Sequence, residues 1–182
     1  MIAAMIRALA CVLLLCLCPR PAAAQTCRPL EISGGYSAVN DPKNLVSLPV
    51  GWMAGARLSV TDWLSAVADV SGHHTTVAGT GSDLRLSVLA AMGGLRASGH
   101  IGRVTEFGQL LAGVARGSGT AFGVTTTTSA FALQPGVGLD YPLRAAFSAR
   151  AEVDLRLIKD QGEGNSAGHE YRFLVGLVYR LR

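Results

Sequence analysis

The sequence predicts an all-β fold, an eight-stranded antiparallel up-and-down transmembrane β-barrel preceded by a cleavable signal peptide, and three observations carry the prediction. Apolar and polar residues alternate with period 2 through most of the chain, the signature of strands with one oily face. The connections between alternating segments switch between short turns and long polar loops. The chain is also oily, with 49% hydrophobic residues and a mean hydropathy of +0.35. Yet beyond its N-terminal segment it has no apolar run near the ~18 residues that a spanning helix requires. Charged residues make up 15%, low against the ~25% of soluble domains.

Residues 1–24 read as the signal peptide. Arg7 gives the positive start, Ala8 to Cys18 form the apolar stretch, and Ala22, Ala23 and Ala24 supply the small residues read at a cleavage site. Cleavage after Ala24 is expected, leaving one domain over residues 25–182 outside the cytoplasm. Cys11, Cys16 and Cys18 fall in the signal, so Cys27 has no intrachain partner. Thr26 before it and Ala24 three residues before it suit a lipidation signal poorly, and a free thiol is expected. Without Arg7 and Arg20, 14 of the 16 basic residues remain against 12 acidic ones, a balance that gives no support to nucleic-acid binding.

The segments follow in order. Leu30, Ile32, Gly34, Tyr36 and Ala38 share one parity of the first. In the second, Trp52, Ala54, Ala56, Leu58 and Val60 oppose Met53, Gly55, Arg57, Ser59 and Thr61. In the third, Leu64, Ala66, Ala68 and Val70 oppose Ser65, Val67, Asp69 and Ser71. In the fourth, Leu84, Leu86, Val88, Ala90 and Met92 are expected on the oily face, against Asp83, Arg85, Ser87 and Ala91. In the fifth, Leu110, Ala112 and Val114 are placed on the oily face, with Glu106 and Arg116 near its edges. In the sixth, Phe131, Leu133, Pro135, Val137, Leu139 and Tyr141 oppose Ala132, Gln134, Gly136, Gly138 and Asp140. In the seventh, Phe147, Ala149, Ala151, Val153, Leu155 and Leu157 oppose Ser148, Arg150, Glu152, Asp154, Arg156 and Ile158. In the last, Tyr171, Phe173, Val175, Leu177, Tyr179 and Leu181 oppose Arg172, Leu174, Gly176, Val178 and Arg180.

Short connections are expected around Asp62 and Trp63, over Ser98 to Arg103, and at Pro142 to Ala146. Long polar loops are expected from Asn40, Gly72, Gly117 and Asp160, the second holding His73 and His74 and the third Thr125 to Thr128. Short turns at one end and long loops at the other fit a barrel with periplasmic turns and extracellular loops. On that topology Trp63, Tyr141, Phe147 and Tyr179 form a periplasmic aromatic belt, and Trp52, Phe131, Tyr171 and Phe173 an outer one.

A bilayer core cannot satisfy backbone N–H and C=O groups, so a spanning sheet closes on itself and turns its apolar face to lipid. The other parity then faces a lumen just wide enough to be filled by side chains. Arg57, Asp69, Arg85, Asp140, Arg150, Glu152, Asp154, Arg156 and Arg172 are the expected lumen network. Both signs are present, as burial of charge demands.

The repeated alternation, the strand–turn–strand "VGWMAGARLSVTDWLSAVADVSG" and the closing "FLVGLVYRLR" resemble the small eight-stranded outer-membrane barrels of Gram-negative bacteria, which include the OmpA transmembrane domain, OmpX and the opacity-type proteins. The resemblance spans the mature chain. It implies an outer-membrane location among lipid and lipopolysaccharide, insertion by the barrel assembly machinery, and a monomer. The closing strand ends on Arg182 where such families carry an aromatic residue. With no segment after Arg182, an anchoring second domain is not expected.

A structural or surface-interaction protein is therefore expected, with extracellular loops available to a ligand. No enzyme, metal site or cofactor is expected. The adjacent His73 and His74 are read as loop residues without a chemical role, His100 and His169 fall at opposite ends, and His169 beside Glu170 lacks a serine partner. A narrow small-solute pore is one alternative. A secreted soluble lipocalin-like barrel is another, with the apolar parity inward around a hydrophobic ligand, because alternation alone does not tell inside from outside.

Overall fold

A computed structural model of the chain describes residues 30–41, 46–77, 84–121, 124–159 and 167–181. The expected signal peptide and Cys27 lie outside them. The strands are β1 (Leu30–Asp41), β2 (Val46–Leu48), β3 (Val50–Ser59), β4 (Leu64–Val77), β5 (Leu84–Ile101), β6 (Val104–Ala121), β7 (Val124–Arg144), β8 (Phe147–Lys159) and β9 (Ala167–Leu181). β2 and β3 flank Pro49 and both pair with β1, Leu48 opposite Val39 and Trp52 opposite Tyr36. They form one stave, interrupted at a residue that has no N–H to give the ladder.

Eight staves result, each antiparallel to its neighbours, and β9 pairs back onto β1 to close the ring. Closure removes both sheet edges, the condition for strands in hydrocarbon. The register fixes the shape. A path perpendicular to the strands runs from Leu30 through Leu58, Ala66, Leu95, Leu110, Pro135, Leu155 and Tyr171 and arrives at Asn40, ten residues further along β1. Eight strands with that stagger tilt by about 40° and enclose a backbone cylinder of about 8 Å radius.

Strong coiling at this radius brings neighbouring backbones close on the inner surface. A Cβ at Gly94 would fall onto the Leu110 carbonyl oxygen, and one at Gly113 onto that of Ala91. Gly94→Val and Gly113→Val are each expected to destabilise the barrel by about 1–3 kcal/mol through overpacking. Urea titration of the folded, fast-migrating gel band measures this, and an unchanged midpoint would contradict so close an approach.

The outward parity is the apolar one. Val137, Trp63, Val175 and Leu177 are all more than half exposed, whereas Arg96, Arg156 and Arg172 are at most 2% exposed. Polar inside and apolar outside is the arrangement for lipid, and it overturns the lipocalin-like alternative.

Several expected connections are strand instead. His73 and His74 lie in β4, Gly117 to Ala121 in β6 and Thr125 to Thr128 in β7. Between β5 and β6 only Gly102 and Arg103 intervene, and Gly102 takes the positive φ of 61° that a two-residue hairpin requires. β5, β6 and β7, of 18, 18 and 21 residues, outreach the other staves at the long-loop end. Threonine, β-branched and able to bond across strands, suits such a sheet outside the membrane. Thr120 pairs with Thr125, and Ser87 with Ser118, through their hydroxyls.

Candidate functional site

The lumen is the most highly charged region of the described fold. Eight of the nine residues expected there are on the inward parity: Arg57, Asp69, Asp140, Arg150, Glu152, Asp154, Arg156 and Arg172. Arg85 is not. It is exposed on the outer wall, because β5 has the parity opposite to the one expected. Leu89 and Leu95 face out, while Ala90 and Met92 face in and pack with Leu111, Ala115 and Ala132. An apolar cluster inside the lumen gave β5 an oily inward face that alternation mistook for the lipid side. The same inversion hid Arg96, the inward arginine of that strand.

Arg172 on β9 is the hub. Its Nε donates to Asp154 Oδ2 at 2.7 Å, its Nη1 to Asp69 Oδ1 at 3.1 Å, and its Nη2 to Asp69 Oδ2 at 3.1 Å and Glu152 Oε1 at 2.8 Å. Three carboxylates from β4 and β8 thus surround one guanidinium. From the far wall, Arg96 donates through Nε to Gln109 Oε1 at 3.0 Å and through Nη2 to Glu152 Oε2 at 3.2 Å. Gln109 Nε2 in turn donates to Glu152 Oε1 and Asp154 Oδ1 at 2.9 and 3.1 Å. The chain Asp69–Arg172–Glu152–Arg96 therefore crosses the whole lumen.

Satellites flank this bulkhead. Toward the short-turn end, Arg150 clasps its cross-strand partner Asp140 with two 2.7 Å bonds, a fork geometry that arginine alone supplies. Lower still, Glu31 receives Arg57 Nη1 at 2.9 Å and Arg180 Nε at 3.0 Å. Toward the long-loop end, Arg156 donates through Nε to Gln134 Oε1 at 2.9 Å and through Nη2 to Ser71 Oγ at 3.3 Å, with Glu170 3.7 Å from its Nη1. His73 shares a 2.9 Å bond with Ser37, so it is a buried strand residue rather than a loop one. Arg57, Arg96, Arg150, Arg156, Arg172 and Arg180 pair with Glu31, Asp69, Asp140, Glu152, Asp154 and Glu170, six charges of each sign.

Glu31, Arg96, Gln109, Gln134, Glu170 and Arg180 were not expected in the network. An arginine between Leu95 and Ala97 was the signal for Arg96, since that charge cannot face lipid at mid-barrel. Among the described residues Phe107 is the one large ring inside, with Arg96 Cζ 3.7 Å and Arg150 Cζ 5.0 Å from its centroid. Phe107→Leu is expected to lose about 0.5–2 kcal/mol of cation–π stabilisation. A urea midpoint equal to wild type would show that the ring does not hold the two guanidinium groups.

All eight residues of the expected aromatic belts are on the outer wall. Trp63, Tyr141, Phe147 and Tyr179 stand at the short-turn end, where the rings of Phe147 and Tyr179 meet at 4.9 Å. Trp52, Phe131, Tyr171 and Phe173 stand toward the other end of their strands. Among the described residues no three of His, Cys, Asp and Glu are grouped to hold a metal ion.

Comparison with known proteins agrees with this architecture. The barrel is similar to Ail, the attachment invasion locus protein of Yersinia pestis, solved in complex with the heparin analogue sucrose octasulfate, at 18% identity and a TM-score of 0.60 over 85% of this chain and 99% of that one. It is similar to Neisserial surface protein A at 14% identity and a TM-score of 0.61 over 84% and 96%. It is also similar to OprG of Pseudomonas aeruginosa at 13% identity and a TM-score of 0.55 over 85% and 96%. No curated protein sequence matches. The outer membrane protein beta-barrel domain profile matches residues 9–180. A closed eight-stave cylinder with an apolar wall, a salt-bridged lumen and that profile along nearly its full length make this chain a member of the outer membrane protein β-barrel domain family, located in the outer membrane.

Proposed function

We propose that the protein is a plugged wall element of the outer membrane, with a structural role and a surface-interaction role rather than a transport role. The observation that carries this reading is the guanidinium–carboxylate bulkhead from Asp69 through Arg172 and Glu152 to Arg96. It spans the lumen with guanidinium and carboxylate groups bonded to one another, and an ion entering would have to break charge-assisted bonds. Lipid and lipopolysaccharide surround the wall, the assembly machinery inserts it, and the barrel acts as a monomer.

Recognition belongs to the long-strand end. There β5 to β7 raise a sheet of hydroxyl-bearing residues beyond the membrane, and the similar barrel Ail, solved with a heparin analogue, gives one precedent for an extracellular ligand. Reconstitution of the folded barrel into planar bilayers tests the plugged state. No steady conductance is expected. A reproducible small conductance would replace this reading with the narrow pore, for which Arg156 Nη1 and Gln134 Nε2, buried without a hydrogen-bond partner, offer the nearest support as sites for internal water.

A further inference from the structure

At the short-turn end the lumen opens as a charged bowl. Its two lobes, of about 200 and 260 Å³, share Glu31, His100, Thr105, Asp140, Ser148 and Arg180. The register explains why these residues meet. His100 lies opposite Thr105, Thr105 opposite Asp140, and Glu31 opposite Arg180, all on the inward parity at the ends of their strands. The ring of staves therefore encloses the bowl and separates it from lipid, and what enters it comes from the aqueous side. Buried Val178 lines both lobes on the lumen side.

The acids of the bowl are already engaged. Arg57 and Arg180 take one oxygen each of Glu31, and Arg150 takes both oxygens of Asp140. Its arginines are not exhausted in the same way. Arg180 is fixed at one edge, with Nε on Glu31 at 3.0 Å and its backbone N–H on the Ala146 carbonyl at 2.9 Å, yet its side chain is 55% exposed. Arg103 and Arg144 stand exposed at the rim, and no described carboxylate pairs with either. Against them the rim holds Asp62 alone among the described residues. The opening thus carries an excess of guanidinium, in a recess whose protein walls focus the field.

We propose that this bowl binds the carboxylates of a cell-wall stem peptide and so ties the barrel to the polymer beneath the membrane. The assignment rests on the outer-membrane reading above, which turns the short-turn end to the periplasm. The occupant follows from place and chemistry. Guanidinium groups bind carboxylates with charge-assisted, directional bonds, and Arg180 is held ready for one by Glu31. Lobes of this size take the end of a short peptide rather than a folded chain. A stem peptide offers several carboxylates to Arg180, Arg103 and Arg144, an ammonium group to Asp62, and amides to the hydroxyls of Thr105 and Ser148. Headgroup phosphates, ranged around the outer wall, are kept out by the staves.

The test titrates the folded barrel, in non-ionic detergent micelles, with a disaccharide–tetrapeptide fragment of the cell wall and follows the heat of binding. Saturable binding is expected, with Arg180→Gln weakening it roughly tenfold, the scale of one lost hydrogen bond to a charged group. The double variant Arg103→Gln with Arg144→Gln is expected to weaken it by a similar factor; both residues are exposed at turns, so it carries the test if Arg180→Gln does not fold. Unboiled gel mobility checks the folding of each variant. The same fragment with its carboxylates amidated should bind the unsubstituted barrel no better than the free acid binds Arg180→Gln. Arg116→Gln, at the opposite end, leaves binding unchanged. Absence of saturable binding, undiminished binding by folded Arg180→Gln or by the double variant, equal binding of the amidated fragment, or tighter binding of glycerol phosphate than of the fragment would overturn the assignment. Bilayer conductance of the same barrel tests the plugged reading separately, so failure of either leaves the other standing.

Discussion

Arg172→Met is expected to be the most destabilising single substitution in the barrel. The guanidinium of Arg172 is wholly buried and bonded to Asp69, Glu152 and Asp154 at once. Methionine fills much of its volume but leaves three carboxylates facing one another, each at most 4% exposed. Breaking a single buried pair costs about 3–5 kcal/mol, because the remaining charge is uncompensated. Here the orphaned charges are three, with Arg96 and Gln109 left to share them, so the loss is expected at the top of that range or beyond it. Urea unfolding in micelles measures it. Adding Asp69→Asn should restore a substantial part of the loss, since it removes one repelling charge, whereas the same asparagine alone should destabilise. The exposed Arg103→Met serves as the reference, expected within about 1 kcal/mol of wild type, as for other surface charges. A loss at Arg172 no larger than that at Arg103 would mean the lumen is wet enough to screen these charges.

Much of this network was legible in the sequence, and the reason is local. In β8, Arg150, Glu152, Asp154 and Arg156 alternate with Ala149, Ala151, Val153 and Leu155, so period 2 gives both the strand and the side to which each residue points. Tyr171 and Arg172, or Leu139 and Asp140, work the same way. β5 shows where the rule fails. Its small outward residues Ala91, Gly93 and Ala97 carry little hydrophobic signal, while Leu86, Val88, Ala90 and Met92 on the other parity carry much. Hydropathy registers how oily a face is, not what lies opposite it, and β5 faces an apolar cluster within the lumen. Arg96 breaks the tie, since an arginine at mid-barrel has to point inward. The lengths of β5 to β7 were hidden for another reason. Glycine, serine and threonine over Gly117 to Thr120 and Thr125 to Ser129 read as loop by composition, yet cross-strand hydroxyl pairs and the continuing register of β6 with β7 keep them in the sheet. Pairing partners, distant in sequence, were invisible throughout, so which arginine meets which carboxylate had to come from the fold.

If the bulkhead is what closes the lumen, its balanced removal should open a pore. The substitutions Asp69→Ala, Arg96→Ala, Glu152→Ala and Arg172→Ala, made together, delete two charges of each sign and so leave the net charge of the lumen unchanged. Each member alone would strand its partners; together they leave mainly Asp154 and Gln109, which water entering the widened space can solvate. Removing four large side chains from a backbone cylinder of about 8 Å radius opens a water-filled path past Gln109, Asp154 and Phe107, which remain at this level. The expected result is a barrel that still shows a heat-modifiable band, unfolds at lower urea, and passes a steady ohmic current where the wild type passes none. Selectivity should favour cations, because Asp154 then stands at the constriction without Arg172. The outcome also discriminates between two plugs. A folded but silent variant would shift the closure to the apolar cluster of Met92, Leu111, Ala115 and Ala132, whose side chains occupy the β5–β7 side of the same lumen and exclude ions by dewetting rather than by charge. Leu111→Ser on the four-fold background would then be the substitution that opens it, and the salt bridges would hold the cylinder in shape without being its seal.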